Sequence, residues 1–147
     1  MAMFDENDSA ALLGAILTDT PYTTVTATHI RLGTSAPSAT ANMTELGGGT
    51  GYTTGGSAIS WTTASAAATS NSGSVSWTNG SGGNWSIVGI EIWDTAGSPL
   101  RHFFGSWTGQ PVVIANGNTF SVAAAGVAVS LVLWKVFPFA ITPGSHA

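Results

Sequence analysis

A chain of 147 residues is long enough for one domain with a sizeable core, yet only 7% of its residues are charged, against about 25% in ordinary soluble domains. Three basic residues and a formal net charge of −4 argue against direct binding to nucleic acid, which requires clustered lysine and arginine. The absence of cysteine rules out disulfides, thiolate metal sites and cysteine nucleophiles. So little charge indicates either a surface covered in an assembly or one made of uncharged polar residues.

Residues 1–20 are predicted to form an N-terminal arm that contains a short helix. Asp8 or Ser9 is suited to cap the helix, because each can accept a hydrogen bond from the first turn. Since an isolated helix of this length is marginal in water, we expect its apolar face to pack against a partner surface. The side chains that form this face at helical spacing are Leu12, Leu13, Ile16 and Leu17.

Residues 21–136 have a pattern typical of an all-β domain. Short apolar and Thr-rich runs are separated by turns rich in Gly, Ser and Asn, which predicts an antiparallel β-sandwich of jelly-roll-like type. Residues 33–56 form a long loop whose candidate anchors are Met43, Leu46 and Tyr52. Besides a central hairpin, strands are predicted at 25–32, 57–63, 72–78, 112–115, 119–123 and 127–136.

The central hairpin is the strongest structural prediction. Its first strand, residues 85–93, is largely apolar on both faces, so we expect one face to meet the core and the other to be covered as well. In the turn 94–99, Asp94 is expected to bond to the backbone and Gly97 to take a positive φ. Residues 100–105 form the return strand.

Two kinds of titratable side chain lie on predicted strands. Glu91 stands among apolar residues, and because an unpaired buried carboxylate is costly, we expect an ion pair with Arg101 across the hairpin or with Arg31. His29 and His102 could contribute to a metal site only with a third ligand. Buried histidines that are hydrogen-bonded within the protein are the better interpretation.

Motifs for catalysis or cofactor binding are missing from the sequence. The glycine-rich stretch 47–56 has no lysine and no following helix, so it does not match a phosphate-binding loop. There is no Gly-x-Ser-x-Gly motif, and no pair of carboxylates is spaced for glycoside hydrolysis. We therefore expect a non-enzymatic protein with no catalytic, cofactor-binding or metal-binding residues.

The six tryptophans allow two interpretations. Large aromatic side chains anchor cores and subunit interfaces, and they also stack on sugars. Trp85 and Trp93 are predicted to lie in the core or in an interface. Trp61 and Trp77 stand among Ser and Thr, which makes them candidates for exposed aromatic contacts.

The most hydrophobic stretch, residues 122–141, raises the question of a membrane span. Ser130 and Lys135 fall where a spanning helix should be apolar, so we expect a buried strand and then an apolar tail over residues 137–147. No membrane contact is predicted. This part of the chain supplies three further candidates for a subunit or particle interface, which are Trp134, Phe137 and Phe139.

Several motifs occur in an order that is recognisable as a whole. After the leucine-containing helix come a strand ending in a Thr-x-x-Pro turn, a Gly-Gly-x-Tyr-like segment, an Asn followed by an alternating strand, a Trp-headed strand ending in Trp-Asp, and a Gly-Asn-Thr run before the final strand. In this order the chain resembles a family of small tailed-bacteriophage virion proteins, described as tail fibre, minor tail or head decoration proteins. The residues that carry the resemblance are 30–37, 48–52, 71–77, 85–97 and 117–126.

The resemblance implies a β-sandwich-like fold that assembles on the virion and has no catalytic residues. We therefore expect a virion structural protein that forms a homo-oligomer, with a trimer as the first guess because cyclic closure satisfies heterologous interfaces. Its expected partners are the major capsid protein or tail proteins. A decoration protein on the head surface is the first interpretation. A tail fibre or minor tail protein, with glycan binding through Trp61 or Trp77, is the alternative.

Overall fold

The computed structural model describes residues 3–4, 6–18, 28–65 and 68–130. Within them the chain forms one helix and eleven strands, and every pairing between named strands is antiparallel. The elements are β1 (Met3–Phe4), α1 (Glu6–Thr18), β2 (His29–Gly33), β3 (Ser57–Ala58), β4 (Ala68–Ser70), β5 (Val75–Thr78), β6 (Trp85–Ile87), β7 (Gly89–Trp93), β8 (Arg101–Ser106), β9 (Val112–Ile114), β10 (Thr119–Val122) and β11 (Ala128–Ser130).

The strands form one larger sheet and three small ones in the described part of the chain. The larger sheet has the order β1-β8-β7-β2-β3, and the pairs β10-β5, β11-β4 and β6-β9 complete the fold. The predicted all-β class is confirmed, with the central hairpin present as β7 paired with β8. The pairings do not establish jelly-roll connectivity, and the division into arm, domain and tail stays a prediction.

The core lies against one face of the five-stranded sheet. Ile30 and Leu32 of β2 and Ile92 of β7 are almost completely buried, as the period-two alternation of a strand requires. Aromatic side chains from the long loop and from another sheet fill the same core. Tyr52 is tilted against Trp77, with ring centroids 6.5 Å apart, and Trp77 stacks on Phe120 at 6.0 Å.

The predicted strand 85–93 is divided at Val88. Before this residue, β6 pairs with β9, and after it β7 pairs with β2 and β8. The Val88 N–H donates to Gly33 O instead, at 2.8 Å. Trp85 and Ile87 face the core before the break and Ile90 faces it afterwards, so the core-facing positions change from odd to even. Residues 85–93 therefore contribute one strand to each of two sheets.

The long loop packs closely on the sheet, as its predicted anchors require. Met43, Leu46 and Tyr52 are all buried. The Tyr52 hydroxyl accepts a bond from the Leu32 N–H at 3.1 Å and donates to Glu45 Oε1 at 2.7 Å. Burial and this carboxylate raise the pKa of Tyr52 well above its ordinary value, although the bond from the Leu32 backbone opposes them. The phenol is therefore a fixed neutral link between loop and strand.

Two buried asparagines hold the chain at the two ends of β5. Asn71 donates through Nδ2 to Gly73 O and Ala123 O and accepts from the Val127 N–H, at 2.6 to 2.8 Å. Asn79 donates through Nδ2 to two carbonyl oxygens at 2.8 Å and accepts from Ser81. Each side chain satisfies both its donor and its acceptor capacity, which removes the penalty for its burial.

The helix begins earlier than its predicted cap. It starts at Glu6, so Asp8 lies inside the first turns, where its carboxylate contacts His102. The helix ends at Thr18, within the predicted arm of residues 1–20. The turn after β7 also differs in one respect, because Gly97 is absent from the residues with positive φ. Asp94 alone provides the side-chain bonds of that turn.

The remaining strand predictions hold only in part. The stretch 57–63 is a strand only at 57–58, and β4 and β1 fall where no strand is predicted. The strands predicted at 112–115 and 119–123 are present as β9 and β10, which pair with β6 and β5 respectively. The last strand is described only to Ser130, and the remainder of the predicted 127–136 strand lies outside the described residues.

The packing of the loop on β5 can be tested at Gly51. Its φ is +99°, and a Cβ there would overlap the Thr78 carbonyl oxygen. We expect Gly51→Ala to lower the free energy of unfolding by about 3 kcal/mol or more, from the strained φ and the overlap together. The measurement is denaturant unfolding followed by tryptophan fluorescence.

Gly82→Ala is the matched control for this prediction. Gly82 has a similar φ of +84°, but a Cβ there would meet open space. This variant should therefore cost only about 1 kcal/mol, from the backbone conformation alone. If the two variants lost the same free energy of unfolding, the close approach of Gly51 to Thr78 would add nothing to the cost of the Gly51→Ala substitution.

Candidate interaction surface

The N-terminal segment is attached to the edge of the five-stranded sheet. β1 pairs with β8 through Met3 opposite Phe104 and Phe4 opposite Phe103. The first turn of α1 then places Asp8 beside His102, whose Nδ1 lies 2.6 Å from Asp8 Oδ2. The predicted arm is thus held by the domain at its start, through one backbone pairing and one side-chain contact.

The apolar face of α1 is uncovered in the described part of the chain. Leu13 is 51% exposed, Ile16 62% and Leu17 70%, while Leu12 is half-buried. Three large apolar side chains on successive turns of one helix form a contiguous surface, and such surfaces mark interaction sites more often than scattered residues do. This apolar helix face is the candidate interaction surface. The other predicted interface residues, Trp134, Phe137 and Phe139, lie outside the described residues.

His102 joins the helix to the turn that follows β7. Its Nε2 lies 3.1 Å from Asp94 Oδ2, on the opposite side of the ring from Asp8. The other oxygen of Asp94 accepts from the backbone N–H groups of Ala96 and Leu100, both at 3.1 Å. Burial alone would raise the pKa of Asp94, but the hydrogen bonds from His102 and the two backbone groups lower it below its ordinary value. Asp94 is therefore held as a carboxylate.

The predicted pair between Glu91 and Arg101 is present and almost completely buried. Arg101 Nη1 lies 2.7 Å from Glu91 Oε1, and the two side chains are 3% and 2% exposed. The same oxygen accepts from the Met43 N–H at 2.8 Å, and Oε2 accepts from Trp93 Nε1 at 3.0 Å. Both oxygens of the carboxylate therefore accept hydrogen bonds, and these bonds offset the cost of burying the charge.

Arg101 also holds the loop that covers the outer face of the sheet. Its guanidinium donates to the carbonyl oxygens of Ser38, Ala39 and Ala41, at 2.7 to 3.2 Å. The second face of the central hairpin is therefore covered by a segment of the same chain. Arg31, the alternative partner for Glu91, instead lies 4.0 Å from the centre of the Trp93 ring and 3.7 Å from Glu45.

The prediction of an exposed contact at Trp77 is wrong. Trp77 is 4% exposed, stacks on Phe120, and donates from Nε1 to Ser57 Oγ at 2.8 Å. The neighbouring Ser and Thr residues are on the opposite face of β5, which explains the misleading sequence context. Trp61 is half-buried and packs against the edge of the core. Trp85 is buried, as expected.

A shallow slot of about 340 Å³ opens between β8 and β10. Its apolar lining includes Ile90, Trp107, Phe120 and Val127, and most of its remaining walls are small residues of β8, β10 and the segment that leads into β11. No charged side chain is among the residues that line it. The slot has neither an acid–base pair nor an anion-binding group, so its lining gives no indication of catalysis.

The described residues contain neither a cluster of metal ligands nor a helix that could span a membrane. Among them, no group of three or more His, Asp or Glu side chains is arranged to hold a metal ion. Asp8 and Asp94 approach opposite nitrogens of His102 and so do not converge on one point. None of the described helices has the length and apolar character needed to cross a membrane.

Comparison with known protein families gives one match across most of the chain. The profile of a family described as "Podophage GP4 fiber I protein gp80" matches residues 5–130. The matched region includes α1, all strands from β2 to β11, and the contacts of His102, Glu91 and Arg101. No curated protein matches the sequence at a significant level.

The two arginines of the sheet allow a matched test of the buried pair. We expect Arg101→Met to lower the free energy of unfolding by about 3–5 kcal/mol, because it leaves Glu91 buried without its cation. Arg31→Met should cost only about 1 kcal/mol, since its ion pair is longer and partly exposed. Equal costs in urea unfolding would contradict the role given to Arg101.

The lowered pKa of Asp94 predicts a specific loss of stability in acid. A carboxyl group with a depressed pKa in the folded state stabilises the protein above its unfolded pKa and loses this contribution as the pH falls through the folded value. We expect this loss below about pH 4, near and under the ordinary aspartate value. In Asp94→Asn the acid-dependent part of the unfolding free energy should shrink, measured by urea titrations at a series of pH values. If the unfolding free energy of Asp94→Asn fell with acid as steeply as that of the wild type, the loss of stability would not come from Asp94.

Proposed function

Because the chain belongs to the podophage GP4 fiber I protein gp80 family, a family of phage virion proteins, we propose that it is a non-enzymatic structural component of a tail fibre. The family description names a fibre, which supports the tail alternative. It does not support the head decoration role that was the first interpretation of the sequence. The tail position is thus part of the proposal, and the capsid surface becomes an outcome of its test.

The observation that carries the proposal is the apolar helix face. Leu13, Ile16 and Leu17 lie on a helix whose start is fixed to the domain and whose apolar side chains have no cover in the described structure. Burying the exposed part of these three side chains contributes about 1–2 kcal/mol each to a complex. We propose that this face packs against a neighbouring protein of the fibre or tail.

Self-association is the second part of the proposal, and the placement of charge supports it. All six charged residues whose side chains the structure describes are bonded within the chain and at most one-fifth exposed, namely Asp8, Arg31, Glu45, Glu91, Asp94 and Arg101. The surface around them is built mainly from Ser, Thr, Gly, Asn and Ala. Packing such surfaces together requires no charge to be stripped of water. A homotrimer is the form that we propose.

The glycan-binding alternative loses much of its basis. Of its two candidate tryptophans, Trp77 is in the core and Trp61 is half-buried against it. Attachment through packing explains the exposed residues of the described chain better than adhesion to sugars does.

Location on the particle is the direct test of the proposed function. Phage particles produced with and without this protein should be imaged by cryo-electron microscopy, and the difference density counted. A few symmetric copies on the tail are expected. Many copies spread over the head would instead establish decoration and overturn the tail assignment.

The helix face can be tested by a triple substitution. We expect Leu13→Ser, Ile16→Ser and Leu17→Ser together to abolish incorporation into particles while the β domain remains folded, because these side chains are exposed in the isolated chain. Incorporation is measured by quantitative immunoblotting of purified particles, and folding by circular dichroism.

Two exposed apolar residues elsewhere provide the control. Leu100 is 52% exposed and Val113 57%, so Leu100→Ser with Val113→Ser removes exposed apolar surface of the same kind, though less of it, away from the helix. The control variant should be incorporated normally. If both variants are incorporated equally, the apolar helix face is not the attachment surface.

A further inference from the structure

His102 is a buried histidine that faces a carboxylate oxygen at each ring nitrogen. Nδ1 is 2.6 Å from Asp8 Oδ2 and Nε2 is 3.1 Å from Asp94 Oδ2. The histidine side chain is 4% exposed, and the two carboxylates are 13% and 4% exposed. The three groups, here called the His102 clasp, connect α1 to the turn between β7 and β8.

With both carboxylates ionised, the geometry of the clasp determines how many protons the histidine must carry. Ionised carboxylates are acceptors only, and a neutral imidazole has one N–H and one lone pair. A neutral His102 could therefore donate to one aspartate, while the other aspartate would face a nitrogen lone pair. An imidazolium donates to both, and the short distance to Asp8 is typical of a charge-assisted hydrogen bond.

We propose that His102 is held as an imidazolium and fixes helix α1 to the sheet through its proton, so that loss of this proton releases the helix. The inference concerns the isolated chain and does not depend on where the helix face binds. Since docking of the helix retains a proton, docking weakens as the pH rises.

The two contacts of His102 differ in how firmly their aspartates are held. Asp94 is fixed by the N–H groups of Ala96 and Leu100, and it lies in the turn that leads directly into the strand of His102. Asp8 arrives from the separate helix α1, 94 residues away in the chain. When the ring becomes neutral, the tautomer that keeps its N–H on Asp94 is favoured, and the contact with Asp8 is the one that opens.

The other charged groups nearby are already engaged. Arg101, the neighbour of His102 on β8, directs its guanidinium to Glu91 and to the carbonyls of the covering loop. His29 on β2 has Nδ1 at 3.3 Å from Thr28 Oγ1. In the described structure the charged groups in contact with the imidazole ring are therefore Asp8, from the helix, and Asp94, from the turn.

The test uses the full chain labelled with ¹⁵N. Nuclear magnetic resonance of the imidazole reports the protonation of each ring nitrogen, and amide hydrogen exchange reports the opening of α1 relative to β7. Across a series of pH values, we expect both ring nitrogens of His102 to be protonated at every pH at which α1 is protected. Loss of one proton should lower this relative protection by about tenfold to a hundredfold, as expected for a charged hydrogen bond. A neutral ring in the protein with α1 still protected would overturn the proposal.

Asp8→Asn separates proton control from simple packing. The amide can accept from a protonated Nδ1 or donate to a neutral one, so the protection of α1 in this variant should change less than about threefold over the same pH range. Glu45→Gln, the same type of change far from His102, should retain the wild-type response. If Asp8→Asn also kept that response, the clasp would not be its origin.

Discussion

The buried ion pair of Glu91 and Arg101 is the contact on which the sheet and its covering loop both depend. It joins the two strands of the central hairpin and, through the carbonyl oxygens of residues 38–41 and the Met43 N–H, fixes the loop over the outer face. A β-strand that is apolar on both faces needs such a cover. The chain supplies the cover itself, and one arginine provides most of the polar bonds that hold it in place.

Features that depend on local pattern could be predicted from the sequence. The all-β class, the hairpin, the anchors of the long loop and the need of Glu91 for a cation follow from alternation, turn chemistry and the cost of an unpaired buried charge. For Glu91 the choice between Arg101 and Arg31 could not be made in advance, because both lie on strands next to β7. The geometry decides it, since Arg31 is drawn to Trp93 and Glu45.

Features that depend on distant partners could not be predicted. The break at Val88 exists because β6 and β7 join different sheets, and nothing within 85–93 shows where the second partner begins. Trp77 has polar neighbours in the sequence, yet its side chain is buried, because those neighbours lie on the opposite face of β5, which is the face exposed to solvent. The contact of Asp8 with His102 spans 94 residues. The acidic residue near the start of a helix was a sound signal for a cap, but the tertiary contact determined its role.

The low charge of the chain, unusual at first sight, has a structural explanation in how the charges are used. The charged side chains that the structure describes form contacts within the protein that hold the arm, the loop and the turns. The surrounding surface is left to hydroxyl-bearing and other small uncharged residues. A surface of this kind provides little long-range electrostatic steering. In the assembly that we propose, recognition depends on shape and on apolar contact, and three of the five large exposed apolar side chains of the described chain lie on α1. Internal use of charge and an exposed apolar helix therefore belong to one arrangement, in which ionic contacts stabilise the domain and uncharged surfaces are left for the association that we propose.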